Sequence, residues 1–287
     1  MGSRCEVCLE GLTAAEGLRV AEAAEVEVVR IERRYSRFRT DSEVARINVA
    51  AASGGSIDVD TEMAALLAYA AIAYERSGGL FDPTSGLLRQ AWNFSEARVP
   101  AQAEIDVLLP HIGFDKVRLE GERLGFLVDG MALDVGGLGK EYAADRAAEI
   151  CIGSGVSSGF VNLGGDIRIV GERSAGDWTF GIADPRTPGH AIATVGARRG
   201  GIATSGDYER YFKRDGRRFC HILNPKTGWP ASGLRSATVI ADTALVAGTL
   251  STTAMLMGSK AAGWLDSLGV EYTLVDEGGR LNGRSRQ

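Results

Sequence analysis

The sequence has little of what marks a membrane, nucleic-acid-binding or exported protein. No apolar run approaches the length of a membrane span, so we expect none. The formal net charge is −5 and there is no basic block or arm, which argues against a nucleic-acid partner. A charged segment followed by an apolar segment is missing at the N-terminus, so we expect no export signal in this chain. The prediction is a cytoplasmic protein, or a periplasmic one if a leader has been removed.

Cysteine is scarce, and the common nucleotide-binding motifs are missing. Cys5 and Cys8 have the spacing of a redox or zinc pair, but no second pair or nearby histidine completes a site. In a strand the two side chains would face opposite sides, so packing is favoured over metal or disulfide chemistry. No G-x-G-x-x-G follows a predicted strand and no Walker lysine is present, which argues against a Rossmann fold.

What is present is the composition of an ordinary globular protein, with 45% hydrophobic and 24% charged residues. A chain of 287 residues could form one large domain or two modest ones. No repeat or low-complexity linker divides it. Strands and helices are mixed with antiparallel hairpins, which indicates an α+β fold.

One informative stretch is MALDVGGLGKEYAADRAAEICIG. We predict a strand over Met131–Val135 that passes through Gly136-Gly137 into a helix from about residue 138 to 152. Such a junction points free backbone N–H groups and the positive end of the helix dipole outward, which suits an anion. Lys140 in the first turn is unfavourable at that end unless an anion binds there. Tight packing explains the glycine pair equally well.

A second informative stretch is TSGDYERYFKRDGRRFCHILNPKTGWP. Asp215-Gly216 supplies the two positive φ angles of a type I′ hairpin, which pairs Phe212 with Phe219. His221 then stands at the end of the second strand, before the turn that begins at Asn224. A polar turn over Ser205–Asp207 is predicted to enter the hairpin. A titratable imidazole between two turns is a candidate site, and the alternative is a structural histidine.

With these pieces in place, the chain resembles the FAD:protein FMN transferase family. The resemblance covers nearly the whole chain and is carried by six motifs in order: SRF…DSEVARIN, LFDPTSG…W, LDVGGLGK…AAD, VNLGGDI, ATSGDYERYF and HILNPKTGWP. It implies an α+β fold of mixed, largely antiparallel sheets with flanking helices. It also implies one compact domain over residues 1–287, with the flavin site in a cleft between two subdomains.

The resemblance implies FAD as substrate and a transfer of FMN. A threonine or serine hydroxyl of an acceptor flavoprotein would attack the FMN phosphorus, AMP would leave, and FMN would become linked through a phosphoester bond. The acceptor would carry an Asp-Gly/Ala-x-Thr/Ser-x-Thr motif. Carried over by position, His221 would be the general base. The expected FAD-binding residues are Met1, Phe38, Leu80, Phe81, Asp82, Asp134, Lys140, Gly164, Gly165, Thr204, Ser205, Gly206, Asp207 and Ile222.

The resemblance also implies a Mg²⁺ ion that polarises the pyrophosphate. Its ligands here would be the Gly137 carbonyl and Thr252, but the position of the expected aspartate is Gly248. Two further departures are Asn224, where aspartate is usual, and Glu141, where glycine is common. Because a hard divalent cation prefers a carboxylate, the departure at Gly248 leaves two alternatives to transfer. These are an FAD-binding protein without transfer activity and a slow FAD hydrolase giving FMN and AMP.

Overall fold

The computed structural model describes residues 4–187 and 189–284. The strands in these ranges are β1 Cys5–Leu9, β2 Ser56–Asp58, β3 Val117–Glu120, β4 Arg123–Phe126, β5 Gly159–Leu163, β6 Asp166–Gly171, β7 Trp178–Ala183, β8 Ala191–Ala197, β9 Gly201–Gly206, β10 Tyr211–Arg214, β11 Arg217–Cys220, β12 Leu234–Ala241, β13 Glu271–Asp276 and β14 Leu281–Arg284. The α-helices are α1 Ala14–Tyr35, α2 Glu43–Ala52, α3 Thr61–Arg76, α4 Gln102–Leu108, α5 Gly139–Gly153, α6 Ala244–Met257 and α7 Ala261–Leu268. Short 3₁₀ helices span Pro83–Gln90, Leu109–His111, Phe114–Lys116 and Gly258–Lys260.

The chain forms two compact units, each discontinuous in sequence. The first unit contains the described residues within 1–34, 137–206 and 233–287. The second contains residues 35–136 and 207–232. The single domain predicted over residues 1–287 stays a prediction.

A seven-stranded sheet with order β1-β5-β6-β9-β12-β13-β14 organises the first unit. Every neighbouring pair in it is antiparallel. Helices α5 and α6 pack against this sheet and against each other. Small buried residues on both helices, among them Ala144, Ala148, Ala247 and Gly248, allow this close approach. Trp178 of the β7–β8 hairpin packs with Ile167 and Ile169 in a separate apolar cluster.

The second unit is built from a three-stranded sheet of order β2-β4-β3, the β10–β11 hairpin and helices α2, α3 and α4. Its helices begin where the sequence supplies caps. The Ser42 hydroxyl accepts from the Ala45 N–H at 3.0 Å, and the Asp60 carboxylate accepts from the Met63 N–H at 2.9 Å. An aromatic cluster around Trp92 then joins the 3₁₀ helix Pro83–Gln90 to the hairpin.

The α+β expectation is confirmed: antiparallel sheets are flanked by helices. In the described residues no helix is both long enough and apolar enough to cross a bilayer. The helix predicted from about residue 138 to 152 is confirmed as α5, Gly139–Gly153. The strand β14 was not predicted from the sequence.

The strand predicted over Met131–Val135 is wrong. This segment belongs to no strand and joins no sheet. The Asn48 side chain pairs with the Leu133 backbone, accepting at 2.7 Å and donating at 3.0 Å. The Asp134 N–H donates to the Pro83 carbonyl at 2.8 Å. The alternating burial of Met131, Leu133 and Val135 produces the strand-like pattern, although the hydrogen bonds come from two helical residues, Asn48 of α2 and Pro83 of a 3₁₀ helix.

The turn predicted over Ser205–Asp207 is also wrong in its first two residues. Ser205 and Gly206 end strand β9, which lies between β6 and β12 in the large sheet. Ser205 stands opposite Ala237 in that ladder. The Ser-Gly-Asp sequence is typical of turns, but pairing with two neighbouring strands overrides this local preference.

Candidate active site

Asp134 is the centre of a charged group in the second unit. Its Oδ2 lies 2.7 Å from Arg37 Nη1 and 3.0 Å from Arg89 Nη2, while its Oδ1 accepts from the Gly136 N–H at 2.8 Å. Two guanidinium groups on one carboxylate leave a surplus positive charge that suits an anionic ligand. A Cβ at Gly86 would lie 2.4 Å from the Asp134 Cβ, so glycine there makes room for this side chain.

Phe38 is a large apolar side chain that lies on the surface of the second unit. It is 79% exposed, and the Arg37 guanidinium lies 4.4 Å from its ring centroid. An exposed ring already stacked on a cation offers its other face to a planar partner. Its contact with the flavin nucleotide stays a prediction.

The Leu80-Phe81-Asp82 segment has a clear structural role. Phe81 and Asp82 are buried. The Asp82 Oδ1 accepts from the Thr84 N–H at 2.8 Å and from the Thr84 hydroxyl at 2.6 Å, so it caps the 3₁₀ helix that begins at Pro83. Burial raises the pKa of Asp82. This capping explains Asp82 without a ligand, and its predicted place in an FAD pocket stays a prediction.

The β10–β11 hairpin has the predicted turn and register. Asp215 and Gly216 have φ of 50° and 72°, as a type I′ turn requires. Phe212 is paired with Phe219, and their ring centroids are 5.2 Å apart. Trp92 packs on this pair with its centroid 5.6 Å from that of Phe219. The sequence predicts strands over Tyr208–Phe212 and Arg217–Leu223, whereas the structure has them over Tyr211–Arg214 and Arg217–Cys220. His221 therefore follows β11 directly instead of ending it.

His221 is partly buried, and it is hydrogen-bonded to the residue that precedes β10. Its N–H donates to the Arg210 carbonyl at 3.0 Å, and its Nδ1 lies 3.3 Å from the same oxygen. A carbonyl can only accept, so this contact favours the tautomer with the proton on Nδ1 and the lone pair on Nε2. Ile222 is buried beside it, and Asn224 opens the following turn by accepting from the Gly228 N–H at 2.8 Å.

Asp207 is the first residue of the second unit after β9. It is buried, and its Oδ1 lies 3.7 Å from Arg218 Nη1. The Arg218 guanidinium also lies 3.9 Å from the Tyr211 ring centroid. These contacts place Asp207 beside the hairpin that carries His221.

In the first unit, Lys140 and Asp166 form an ion pair at the start of α5. The Lys140 Nζ contacts the Asp166 Oδ2, and Asp166 is buried. Asp166 follows the exposed glycine turn of Gly164 (φ 69°) and Gly165 (φ 98°), which only glycine adopts readily. The predicted lysine therefore faces an acidic partner that sequence reasoning did not single out.

A chain of hydroxyl groups links β9 to α6 in the first unit. The Ser205 Oγ lies 2.8 Å from the Ser251 Oγ and 2.9 Å from the Thr252 Oγ1. The Thr204 hydroxyl instead lies 2.8 Å from the Thr238 hydroxyl on the neighbouring strand β12. The predicted residues Ser205 and Thr252 are therefore in direct contact.

Glu141 is a buried acid on the α5 face that packs against α6. It is only 6% exposed, and its Oε2 has no hydrogen-bond partner among the described residues. Burial and the nearby charge of Asp166 raise the pKa of Glu141 to about 8, with a smaller contribution from Asp145 and opposition from Lys140. In the sequence, Glu141 stands out only as a departure from a common glycine. Its spacing of four and seven residues from Asp145 and Ala148, on a buried helix face, is the signal that could have marked it.

Asp145 anchors the start of α6. Its Oδ1 accepts from the Ala244 N–H and its Oδ2 from the Leu245 N–H, each at 2.9 Å. Arg168 Nε lies 3.6 Å from its Oδ1. Burial raises the pKa of Asp145 despite these donors. This acid holds the helix that carries Gly248 and Thr252.

The predicted site residues divide between the two units. The second unit holds Phe38, Leu80, Phe81, Asp82, Asp134, Asp207, His221 and Ile222. The first holds Gly137, Lys140, Gly164, Gly165, Thr204, Ser205, Gly206 and Thr252. Met1 lies outside the described residues. Within 4–187 and 189–284, no three His, Cys, Asp or Glu side chains converge as a metal site would require.

A cavity of about 790 Å³ lies elsewhere in the first unit. Its lining includes Arg198, Thr238, Glu271, Tyr272 and Arg284. None of the predicted site residues that the structure describes lines this cavity.

Comparison with known proteins finds one family over nearly the whole chain. The ApbE family matches residues 1–274. The FAD:protein FMN transferase of Treponema pallidum is 35% identical over 243 residues, which are 78% of this chain and 67% of that protein. The crystal structure of the ApbE protein of Thermotoga maritima has a TM-score of 0.91 at 34% identity and covers 99% of this chain and 94% of its own. The apo flavinyl transferase ApbE of Pseudomonas stutzeri has a TM-score of 0.85 at 29% identity, covering 100% and 92%.

Proposed function

The chain belongs to the ApbE family, and on this premise we propose that it transfers FMN from FAD to a hydroxyl of an acceptor flavoprotein. The relatives that carry the name FAD:protein FMN transferase support this reaction. The structural observation that carries the proposal is the imidazole of His221, held through Nδ1 on the Arg210 carbonyl. A histidine in that tautomer is equipped to accept a proton at Nε2.

The proposed reaction is a single displacement at phosphorus. His221 Nε2 takes the proton of a threonine or serine hydroxyl of the acceptor. The hydroxyl oxygen forms a bond to the FMN phosphorus as the bond from that phosphorus to the bridging oxygen breaks, and AMP leaves with that oxygen. The proton on His221 then returns to solvent or to the AMP phosphate. Catalysis of this kind depends on positioning and on stabilising charge.

Lys140 is the proposed ligand of the FAD pyrophosphate. It lies in the first turn of α5, where the helix dipole also favours an anion. Its ion pair with Asp166 keeps the ammonium group at the helix start, and the phosphates would share it. In the second unit, Asp134 with its two guanidinium partners is proposed as a further contact of FAD. The remaining predicted residues, Phe38 and the backbone at Gly164-Gly165 and 204–207 among them, are proposed as further FAD contacts.

Three oxygen donors of the first unit are of the hard type that Mg²⁺ prefers, and we propose that they hold the ion. The Gly137 carbonyl and the Thr252 hydroxyl are hard ligands, and the buried Oε2 of Glu141 has no partner among the described residues. When bound, the ion would neutralise pyrophosphate charge as the leaving oxygen departs.

The test is a flavinylation assay on the full chain. The protein is incubated with FAD, Mg²⁺ and a partner protein that bears an Asp-Gly/Ala-x-Thr/Ser-x-Thr segment. The expected products are in-gel flavin fluorescence on the partner and one AMP for each flavin attached. Free FMN and AMP without labelled partner would indicate the hydrolase alternative. Bound FAD without either product would indicate binding alone, and both outcomes would refute transfer.

His221→Ala should keep FAD binding and lose transfer by about 10²–10⁴-fold, the usual worth of a general base. His190→Ala is the matched control, because His190 is an exposed histidine outside the proposed site. FAD affinity is measured by fluorescence titration beside the transfer rate. Transfer by His221→Ala at the rate of the control would remove His221 from the base role.

A further inference from the structure

We infer that Glu141 supplies the carboxylate ligand of a divalent-cation site in the first unit, replacing a carboxylate that position 248 does not provide. The catalytic use of this site rests on the proposed function. The binding of the cation does not, because it can be measured without FAD or acceptor.

The space beside Gly248 is filled by the Glu141 side chain. A Cβ built on Gly248 would lie 2.4 Å from the Glu141 Cγ, 2.9 Å from its Oε1 and 3.0 Å from its Cδ. A Cβ atom and a non-bonded atom do not approach each other this closely in proteins. The carboxyl group of Glu141, which extends from α5, therefore occupies the volume in which an aspartate at position 248 of α6 would stand.

The Glu141 carboxyl also differs from the other buried acids described in this region, because it forms no ion pair with a basic side chain. Lys140 contacts Asp166 and Arg168 lies near Asp145. Within the described part of the chain, Glu141 forms no ion pair and its Oε2 has no hydrogen-bond partner, although the residue is 6% exposed. Burying an unpaired carboxylate is costly unless a positive charge compensates it. A bound cation would supply that charge.

Neighbouring hydroxyl groups offer further oxygen ligands near Gly248. Thr252 lies one helical turn after Gly248 on the same face of α6. Its hydroxyl contacts that of Ser205 at 2.9 Å, so β9 brings a second oxygen to this place. Hydroxyl and carboxylate oxygens suit Mg²⁺ and Mn²⁺ better than softer metals.

The experiment measures Mn²⁺ binding to the full chain without FAD, by electron paramagnetic resonance of the free ion. The wild type should bind a single Mn²⁺, and Mg²⁺ should displace it. Glu141→Gln keeps the shape of the side chain but removes its charge, and should weaken Mn²⁺ affinity on the order of tenfold or more. Glu149→Gln removes the same charge from an exposed position on the same helix and should bind as the wild type does.

A second pair of variants moves the carboxylate instead of deleting it. Glu141→Gly with Gly248→Asp should recover most of the Mn²⁺ affinity that Glu141→Gly alone loses. This pair carries the test if Glu141→Gln does not fold. Three results would each overturn the inference. The first is an equal Mn²⁺ affinity of Glu141→Gly and of the double variant, and the second is a wild-type Mn²⁺ affinity of a folded Glu141→Gln. The third is a wild type that binds no Mn²⁺. A protein that binds Mn²⁺ through Glu141 but does not flavinylate would overturn the proposed function instead.

Discussion

Replacing Glu141 with glutamine in the metal-free protein should change how stability depends on pH. Burial and the charge of Asp166 raise the pKa of Glu141 from 4.5 to about 8, while Lys140 opposes this and Asp145 adds to it. The unfolded chain releases the proton near pH 4.5, whereas the folded chain keeps it until about pH 8. The unfolding free energy of the wild type therefore falls, relative to that of the glutamine variant, as pH rises between these values.

The size of the effect follows from the width of that window. Each pKa unit corresponds to about 1.36 kcal/mol, so the stability advantage of Glu141→Gln should grow by about 4 kcal/mol between pH 5 and pH 8. Glutamine carries no titrating proton, and the charged groups that face Glu141, namely Asp166, Lys140 and Asp145, lose one neighbour charge with it. The difference between the two proteins therefore reports Glu141 together with the groups coupled to it.

The assay is urea unfolding of both proteins across this pH range with a chelator present. Glu149→Gln controls for the loss of a carboxylate from an exposed position of α5. A wild-type minus variant difference that stays constant from pH 5 to pH 8 would refute the reasoning. It would mean that Glu141 does not retain a proton in the folded protein.

Two further predictions concern packing and capping. Gly86→Ala should destabilise the protein by about 1–3 kcal/mol, because the new Cβ would lie 2.4 Å from the Asp134 Cβ; urea midpoints check this against Gly125→Ala, whose Cβ meets only an ordinary contact. Equal midpoints for the two alanine variants would contradict it. Asp145→Ala should cost about 1–2 kcal/mol, because the first amides of α6 lose their acceptor. Asp145→Asn keeps one acceptor oxygen and should lose less, so equal losses in urea unfolding would argue against capping.

The parts of the fold that follow local rules could be predicted from the sequence. The Asp215-Gly216 turn and the facing aromatics Phe212 and Phe219 specify the hairpin and its register, because both signals lie within a few residues of each other. The helices follow their apolar periodicity and begin at capping residues such as Ser42 and Asp60.

The parts that depend on distant partners could not. Alternating burial in Met131–Val135 is the pattern of a strand, yet Asn48 and Pro83 supply its hydrogen bonds and no sheet forms. Strand β9 carries a turn-like Ser-Gly-Asp end, and only its two neighbours in the sheet make it a strand. No sequence pattern states which residue of α5 faces which residue of α6.

The metal prediction shows the same limit most clearly. From the sequence, Gly248 and Glu141 are two separate departures from a family pattern, one of which removes a carboxylate. In the folded first unit they are adjacent, and the side chain of one fills the space left by the other. Whether an acid is present at a place in space cannot be predicted from one position of the chain alone.

Because Glu141 fills the volume beside Gly248, the two positions cannot change independently during evolution. An ancestor that gains aspartate at position 248 first must accommodate two crowded carboxyl groups. An ancestor that loses Glu141 first has no acid at either position. The exchange between the two arrangements therefore passes through an ancestor that is overpacked or lacks the acid. Homologues should carry an acid at one of these positions and a small residue at the other. Chimaeras that exchange α6 between relatives should stay folded only when the facing turn of α5 is exchanged with it.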